Sequence, residues 1–263
     1  MSMQARDNGG VRPPDRGKLI RFKPVAREEQ PSAQGQAVEK RSFYRRVDVA
    51  DTYDAQRFGG DSGARVNARE LALACDLLPA GGVVADVGCG TGRLTKALRG
   101  RGDRVIPCDA SLAMLRVAGR GGAGPAVQAD AFALPLSDGA CDGIATVRFL
   151  FHFADPAPLL RELRRVTSAG GTLVCDTYSW SPRSLLAVGR QRWGARVATV
   201  GRDEFRSLAR AAGWDLRVAR PCFLISPYVY RRLPLPVVGV LERLERRVPR
   251  FLLCRTFWAL EAV

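Results

Sequence analysis

Five short apolar runs, Val83–Val87, Val105–Cys108, Ala126–Ala129, Gly143–Val147 and Thr172–Cys175, alternate along the chain with stretches of helical periodicity. Runs this short and this uniformly apolar suit strands buried on both faces. The helical patterns fall at Gly92–Leu98, Ser111–Ala118 and Pro156–Thr167. In the last, Asp155 stands where a cap belongs and Pro156 fits a first turn. Leu159, Leu160, Leu163 and Val166 make one stripe, and Gly170-Gly171 is expected to close the element. Strands alternating with helices need right-handed crossovers, so the expected architecture is a doubly wound, mostly parallel α/β sheet with helices on both faces.

Around this centre the patterning changes. Asn67 as a cap with Glu70 three positions on predicts a helix carrying Leu71, Ala74, Cys75 and Leu78 on one face, stopped by Pro79-Ala80-Gly81-Gly82. A further helix over Asp203–Ala212 aligns Phe205, Leu208, Ala209 and Ala212. Leu216–Phe223 and Phe251–Ala262 read as an antiparallel pair of strands. Between them Val237–Val248 is amphipathic, and its stripe of Val237, Val240, Leu241, Leu244 and Val248 is expected to cover the domain's own core. Residues 1–40, rich in Arg, Pro, Gln and Gly, read as a disordered basic tail. The remainder, 41–263, reads as one domain: a helical cap over 41–80, a cofactor-binding core over 81–180, and a substrate-side and lid region over 181–263.

No stretch of about 18 apolar residues occurs, which argues against a membrane-spanning helix. The first residues lack the apolar core of a secretory signal, so a cytoplasmic location is expected. The 7 cysteines are scattered with no CxxC pair, a poor framework for disulfides or zinc, and no metal site is expected. The formal charge of +15 is unevenly placed. Residues 180–263 hold 16 Lys+Arg against 6 Asp+Glu, whereas residues 71–179 hold 11 against 10. The C-terminal excess is either compositional drift toward arginine or a basic face, and composition does not separate the two.

The glycine-rich segment Val83–Leu98, VVADVGCGTGRLTKAL, follows the first strand and so stands at the ligand-bearing edge of such a sheet. It lacks the Gly-Lys-Ser/Thr of a phosphate-binding P-loop, and Arg93 occupies the third glycine position of a dinucleotide fingerprint. Its spacing is GxGxG with Asp86 ahead of it. An acid there repels a pyrophosphate and suits a ligand ammonium, while the helix start near Thr91 offers N–H groups to a carboxylate. Asp109 ends the second strand, where an acid accepts from ribose hydroxyls. An amino acid joined to a nucleoside describes S-adenosylmethionine.

These residues resemble the class I S-adenosylmethionine-dependent methyltransferases, specifically the type-11 small-molecule group. The likeness runs from Asp86–Gly92 through Asp109–Ser111, Asp130-Ala131 and CDGIATVRFLFHFAD to LLRELRRVTSAGGTLVCDTY, covering roughly residues 50 to 220. It implies a Rossmann-like, seven-stranded sheet whose last strand is antiparallel. It also implies that Asp86, Gly88, Cys89, Gly90 and Gly92 hold the methionine end and that Asp109 holds the ribose. Ala110 and Met114 would flank the adenine, Asp130 would accept from its amino group beside Ala131, and Val147 would face the sulfonium. Arg148 would face the acceptor, or turn outward to Asp155. Tyr53, in YDAQRF, is a candidate roof residue, within a roof made of Arg41–Arg69, Tyr178–Val200 and the C-terminal helix. His152, the sole histidine, is either a base or a structural residue of the pocket.

The resemblance implies methyl transfer to a small molecule through O-, N- or C-methylation. The apolar, arginine-flanked FLISPYVYRRLPLPVVGVLERL points to a hydrophobic, quinone-like or lipid-like acceptor, or to contact with an anionic membrane surface. Two other readings stand beside it. One is an RNA methyltransferase using the basic C-terminal region, less favoured because few aromatics interleave the arginines. The other is a non-catalytic S-adenosylmethionine-binding protein.

Overall fold

A computed structural model describes residues 42–180 and 197–263. The expected tail, and the part of the expected roof between 181 and 196, lie outside the described residues. Seven strands form one sheet in the order β3-β2-β1-β4-β5-β7-β6. They are β1 Val83–Val87, β2 Arg104–Asp109, β3 Val127–Gln128, β4 Cys141–Thr146, β5 Thr167–Tyr178, β6 Trp214–Cys222 and β7 Arg255–Ala262. Neighbours from β3 to β5 are parallel, and β7 runs antiparallel to both β5 and β6. The order reverses between β1 and β4, and an open α/β sheet binds ligands in the crevice beyond such a switch point.

The helices are α1 Val47–Phe58, α2 Gly60–Leu77, α3 Arg93–Gly100, α4 Leu112–Arg120, α5 Ala157–Val166, α6 Arg202–Ala211, α7 Pro227–Tyr230 and α8 Leu235–Glu245. All five residues of β1 are buried. Val83, Ala85 and Val87 pack with Leu163, Trp214 and Trp258 on one face, and Val84 packs with Leu98, Val174 and Phe257 on the other. A strand covered on both faces has no polar positions to alternate with, which is why these runs read as continuous apolar segments.

Four local expectations need correction. The second helix starts at Gly60, where φ is +71, so Asn67 lies inside it rather than capping it, and Glu70 is fully buried. Gly170-Gly171 does not close a helix. α5 ends at Val166, where the Thr167 hydroxyl donates to Leu163 O at 2.7 Å, and the glycines lie within β5. A Cβ on Gly171 would stand 2.8 Å from Asp142 O, so glycine there permits a close strand approach. Phe251 belongs to a short 3-10 turn before β7, not to the strand.

The fourth concerns α8. Its buried side chains are Val238 and Glu245, while Val237, Val240 and Leu244 are exposed. Two carboxylates set this rotation: Glu242 pairs with Arg65 at 2.7 Å and Glu245 pairs with Arg69, both arginines lying on α2. Most of the apolar stripe therefore faces away from the core.

Candidate functional site

The crevice at the carboxyl ends of β1, β2 and β4 is a single cavity, and its wall is built from the glycine loop upward. The Gly88 and Cys89 N–H groups both donate to Cys108 O, at 2.8 and 3.0 Å, which folds the loop back onto β2. Gly88 has φ +73, and a Cβ there would meet the Phe149 ring at 2.6 Å, so only glycine lets that ring seat against the loop. Beside Gly90, by contrast, nothing lies within 4 Å of where a Cβ would be, leaving the backbone open to the cavity.

Two carboxylates stand at this edge in different settings. Asp109 is held at both oxygens: Oδ2 accepts from Gly90 N at 2.9 Å and Oδ1 from Ser111 N at 2.8 Å. Burial raises its pKa, against those two hydrogen bonds. Asp86 lies deeper, where Oδ2 accepts from the Thr95 hydroxyl at 2.5 Å. Its burial pushes its pKa to about 6, with the Thr95 hydrogen bond opposing. A carboxylate so desolvated gains most from a cation at its free face.

The rest of the wall is aromatic and cationic. His152 stands among rings, with centroids 4.7 Å from Phe151, 5.7 Å from Tyr44 and 6.4 Å from Phe149. Tyr53 of α1 packs edge-on to Tyr44 at 6.2 Å. Arg148 adopts φ +64, its N–H donating to Asp176 Oδ1 at 2.6 Å. Its guanidinium turns inward to Glu70 at 3.0 Å, not outward to Asp155, which instead accepts from Ala157 N at 2.9 Å.

Glu70 also pairs with Arg255, and Arg255 pairs with Asp176 at 2.7 Å. Burial works against the charge on Glu70, but Arg255, Arg148 and Arg93 outweigh it and hold its pKa at about 2. Three polar atoms in this set, Glu70 Oε2, Arg148 Nε and Arg255 Nη2, are buried and without a hydrogen bond.

Asp86, Gly88, Cys89, Gly90, Asp109, Ala110, Met114, Asp130, Ala131, Val147, Tyr53, Arg148 and His152 all line this one cavity. Gly92 does not. Its φ is +76, and a Cβ there would meet Ala123 Cβ at 2.5 Å and Ala118 Cβ at 3.1 Å, so it serves packing behind the loop. Asp130 Oδ1 accepts from Phe132 N at 3.1 Å, fixing the turn that brings Ala131 to the wall. Tyr44 falls within the expected roof without having been singled out, and sequence reasoning missed Glu70, Phe149 and Phe153 in the lining. It also missed what Arg93 does: the guanidinium lies 3.6 Å from the Phe58 ring centroid and donates to Asn67, tying α1 and α2 to the loop. Among the described residues no cluster of metal-ligating side chains occurs.

Residues 85–175 match a protein-family model described as a methyltransferase domain. The chain is 36% identical over 140 residues to a demethylmenaquinone methyltransferase of Thermobifida fusca, covering 51% of this chain and 59% of that protein. It is 29% identical over 140 residues to a ubiquinone biosynthesis O-methyltransferase of Xanthomonas oryzae pv. oryzae, with the same shares. The chain thus spans about three fifths of the length of these curated relatives.

Among solved structures, geranyl diphosphate C-methyltransferase of Streptomyces coelicolor A3(2) superposes with a TM-score of 0.62 at 16% identity. The match covers 89% of this chain and 100% of that one. A possible histamine N-methyltransferase of Thermotoga maritima gives 0.58 at 24% identity, over 72% and 87%. At these identities the structural likeness establishes the fold, with its seven-stranded sheet and antiparallel β7.

Proposed function

We propose that this chain, whose residues 85–175 are a type-11 methyltransferase domain on a class I methyltransferase fold, transfers a methyl group from S-adenosyl-L-methionine to a small-molecule acceptor. The observation that carries the reading is Asp109. It stands at the end of β2 with each oxygen oriented by one backbone N–H, beside the open backbone of Gly90. Each oxygen keeps a lone pair, which suits a ligand with two adjacent hydroxyls. Asp86 and the loop would take the amino-acid end, with Asp86 meeting the ammonium that its desolvated carboxylate lacks. Ala110, Met114, Asp130 and Ala131 would enclose the base.

When bound, this cofactor supplies a methyl group already activated by a positively charged sulfur. What remains for the chain is alignment and the exclusion of water. Val147 and Arg148 at the end of β4, with Phe149 against Gly88, fix the floor on the acceptor side. His152 faces the same space and would accept a proton where the acceptor is a hydroxyl. Arg148 is occupied by Glu70, so its part is to hold the β4 end in its left-handed turn.

A hydrophobic, quinone-like or lipid-like acceptor is supported by the aromatic wall of Tyr44, Tyr53, Phe149 and Phe153, and by the similarity to the two quinone-pathway enzymes. Replacing Asp109 with Ala is expected to weaken S-adenosyl-L-methionine binding at least about tenfold, roughly 1.4 kcal/mol, by calorimetry. Unchanged affinity would remove the assignment of Asp109 to the ribose. Transfer of labelled methyl to a panel of reduced quinones tests the acceptor separately, and no labelled product would remove that part alone.

A further inference from the structure

Six of the eleven exposed large hydrophobic side chains among the described residues lie between residues 235 and 252. They are Leu235, Val237, Val240, Leu244, Phe251 and Leu252, with Phe251 71% exposed. Scattered exposed apolar residues are ordinary, but Val237, Val240 and Leu244 share one side of α8, and an apolar side of this kind marks a contact surface. The cause lies in how α8 docks. Its inner face is held by Glu242 on Arg65 and by Glu245 on Arg69, and Glu245 also accepts from the Tyr230 hydroxyl and from Phe223 N. The two carboxylates of the segment are therefore turned inward and paired.

What faces outward is apolar or positive. Arg243, Arg246, Arg247 and Arg250 are exposed, and none has a carboxylate partner among the described residues. We propose that the face made by α8 and the turn before β7 seats the protein on an anionic lipid bilayer surface.

Charge complementarity selects that occupant. An apolar ridge bordered by arginines, with no outward acid, matches a surface of acyl chains beneath anionic headgroups. A second copy of the chain would set these arginines against one another. The short helix that precedes α8 also reaches toward the cavity. The Tyr228 ring of α7 lies 4.6 Å from the Arg57 guanidinium carbon, which lies 5.6 Å from the ring of Tyr53 in the cavity wall. The seating does not depend on which acceptor is methylated.

The test is flotation of the full chain with vesicles of phosphatidylcholine alone and of phosphatidylcholine mixed with phosphatidylglycerol. At least about tenfold more protein is expected on the anionic vesicles. The triple change V240S/L244S/F251S should abolish binding, and R243E/R247E should abolish the anionic preference. Unchanged S-adenosylhomocysteine affinity by calorimetry establishes that each variant is folded. Four outcomes would overturn the proposal. One is no vesicle binding by the unmodified chain. Another is vesicle binding that survives the triple change. The third is a dimer in light scattering that the triple change breaks, and the fourth is RNA binding in place of vesicle binding.

Discussion

Asp86 and Asp109 are both buried carboxylates at the mouth of the same crevice, yet their hydrogen bonding sets them apart. Asp109 is held by the backbone N–H groups of two residues, Gly90 and Ser111, whereas Asp86 is held by Thr95 alone, and burial raises its pKa to about 6. A ligand ammonium forms an ion pair with the carboxylate form only. Affinity for S-adenosylhomocysteine, which keeps the ammonium, is therefore expected to rise with pH through about 6 and level off above it. Calorimetry across pH 5 to 8 reads this directly, and Asp86→Asn should flatten the profile at the weak limit. A slope that persists in the variant would assign it to another group. Gly88 carries a different constraint at the same loop. Alanine there must adopt φ +73 and displace the Phe149 ring, costing about 1–3 kcal/mol in urea unfolding and disturbing the cavity floor.

At the level of elements, α2, the end of β4 and the β5–β7 pair are fastened by Arg148 and the fully buried Glu70, Arg255 and Asp176. Removing one partner leaves an uncompensated charge, so Glu70→Gln is expected to cost about 3–5 kcal/mol. Glu242→Gln, whose partner Arg65 is 57% exposed, should cost less than about 1 kcal/mol. Equal losses in urea unfolding would refute the distinction.

The contrast also marks the limits of sequence reading. β1, β2, β4 and β5 were legible because burial on both faces leaves a local apolar signature. The ends of the cavity were legible because Asp86, the glycines and Asp109 sit at strand ends a fixed distance apart. Glu70 was not, since its partners lie 78 and 185 positions away and a glutamate after Asn67 reads locally as a cap. The rotation of α8 was missed for the same reason. The apolar stripe is local, but the ion pairs that turn it outward span 176 and 177 positions.

For the whole molecule, these buried groups pull stability in opposite directions as pH changes. Glu70 has its pKa depressed to about 2, so its contribution is fully present above about 4.5 and is lost as pH falls toward 2. Asp86 has its pKa raised to about 6, so ionising it costs stability as pH rises from about 4 to 6. Each gap is worth on the order of 3 kcal/mol. A third influence is global. Protonating the 26 acidic side chains of a chain with 41 Lys+Arg leaves the positive charge opposed by little, so self-repulsion adds to the loss of Glu70 below about pH 4. The ligand-free protein is therefore expected to lose stability from pH 4 to 6 through Asp86, and to collapse below pH 4 in a salt-sensitive way. In thermal unfolding across this range, Asp86→Asn should unfold at a higher temperature than the unmodified chain at pH 7, with the difference vanishing near pH 4. Saturating S-adenosylhomocysteine should reverse the order at pH 7, because ligand binding stabilises only the form that binds it well. If Asp86→Asn were instead less stable than the unmodified chain at pH 7 without ligand, the carboxylate would be stabilised by the fold. The ammonium would then not be what it lacks.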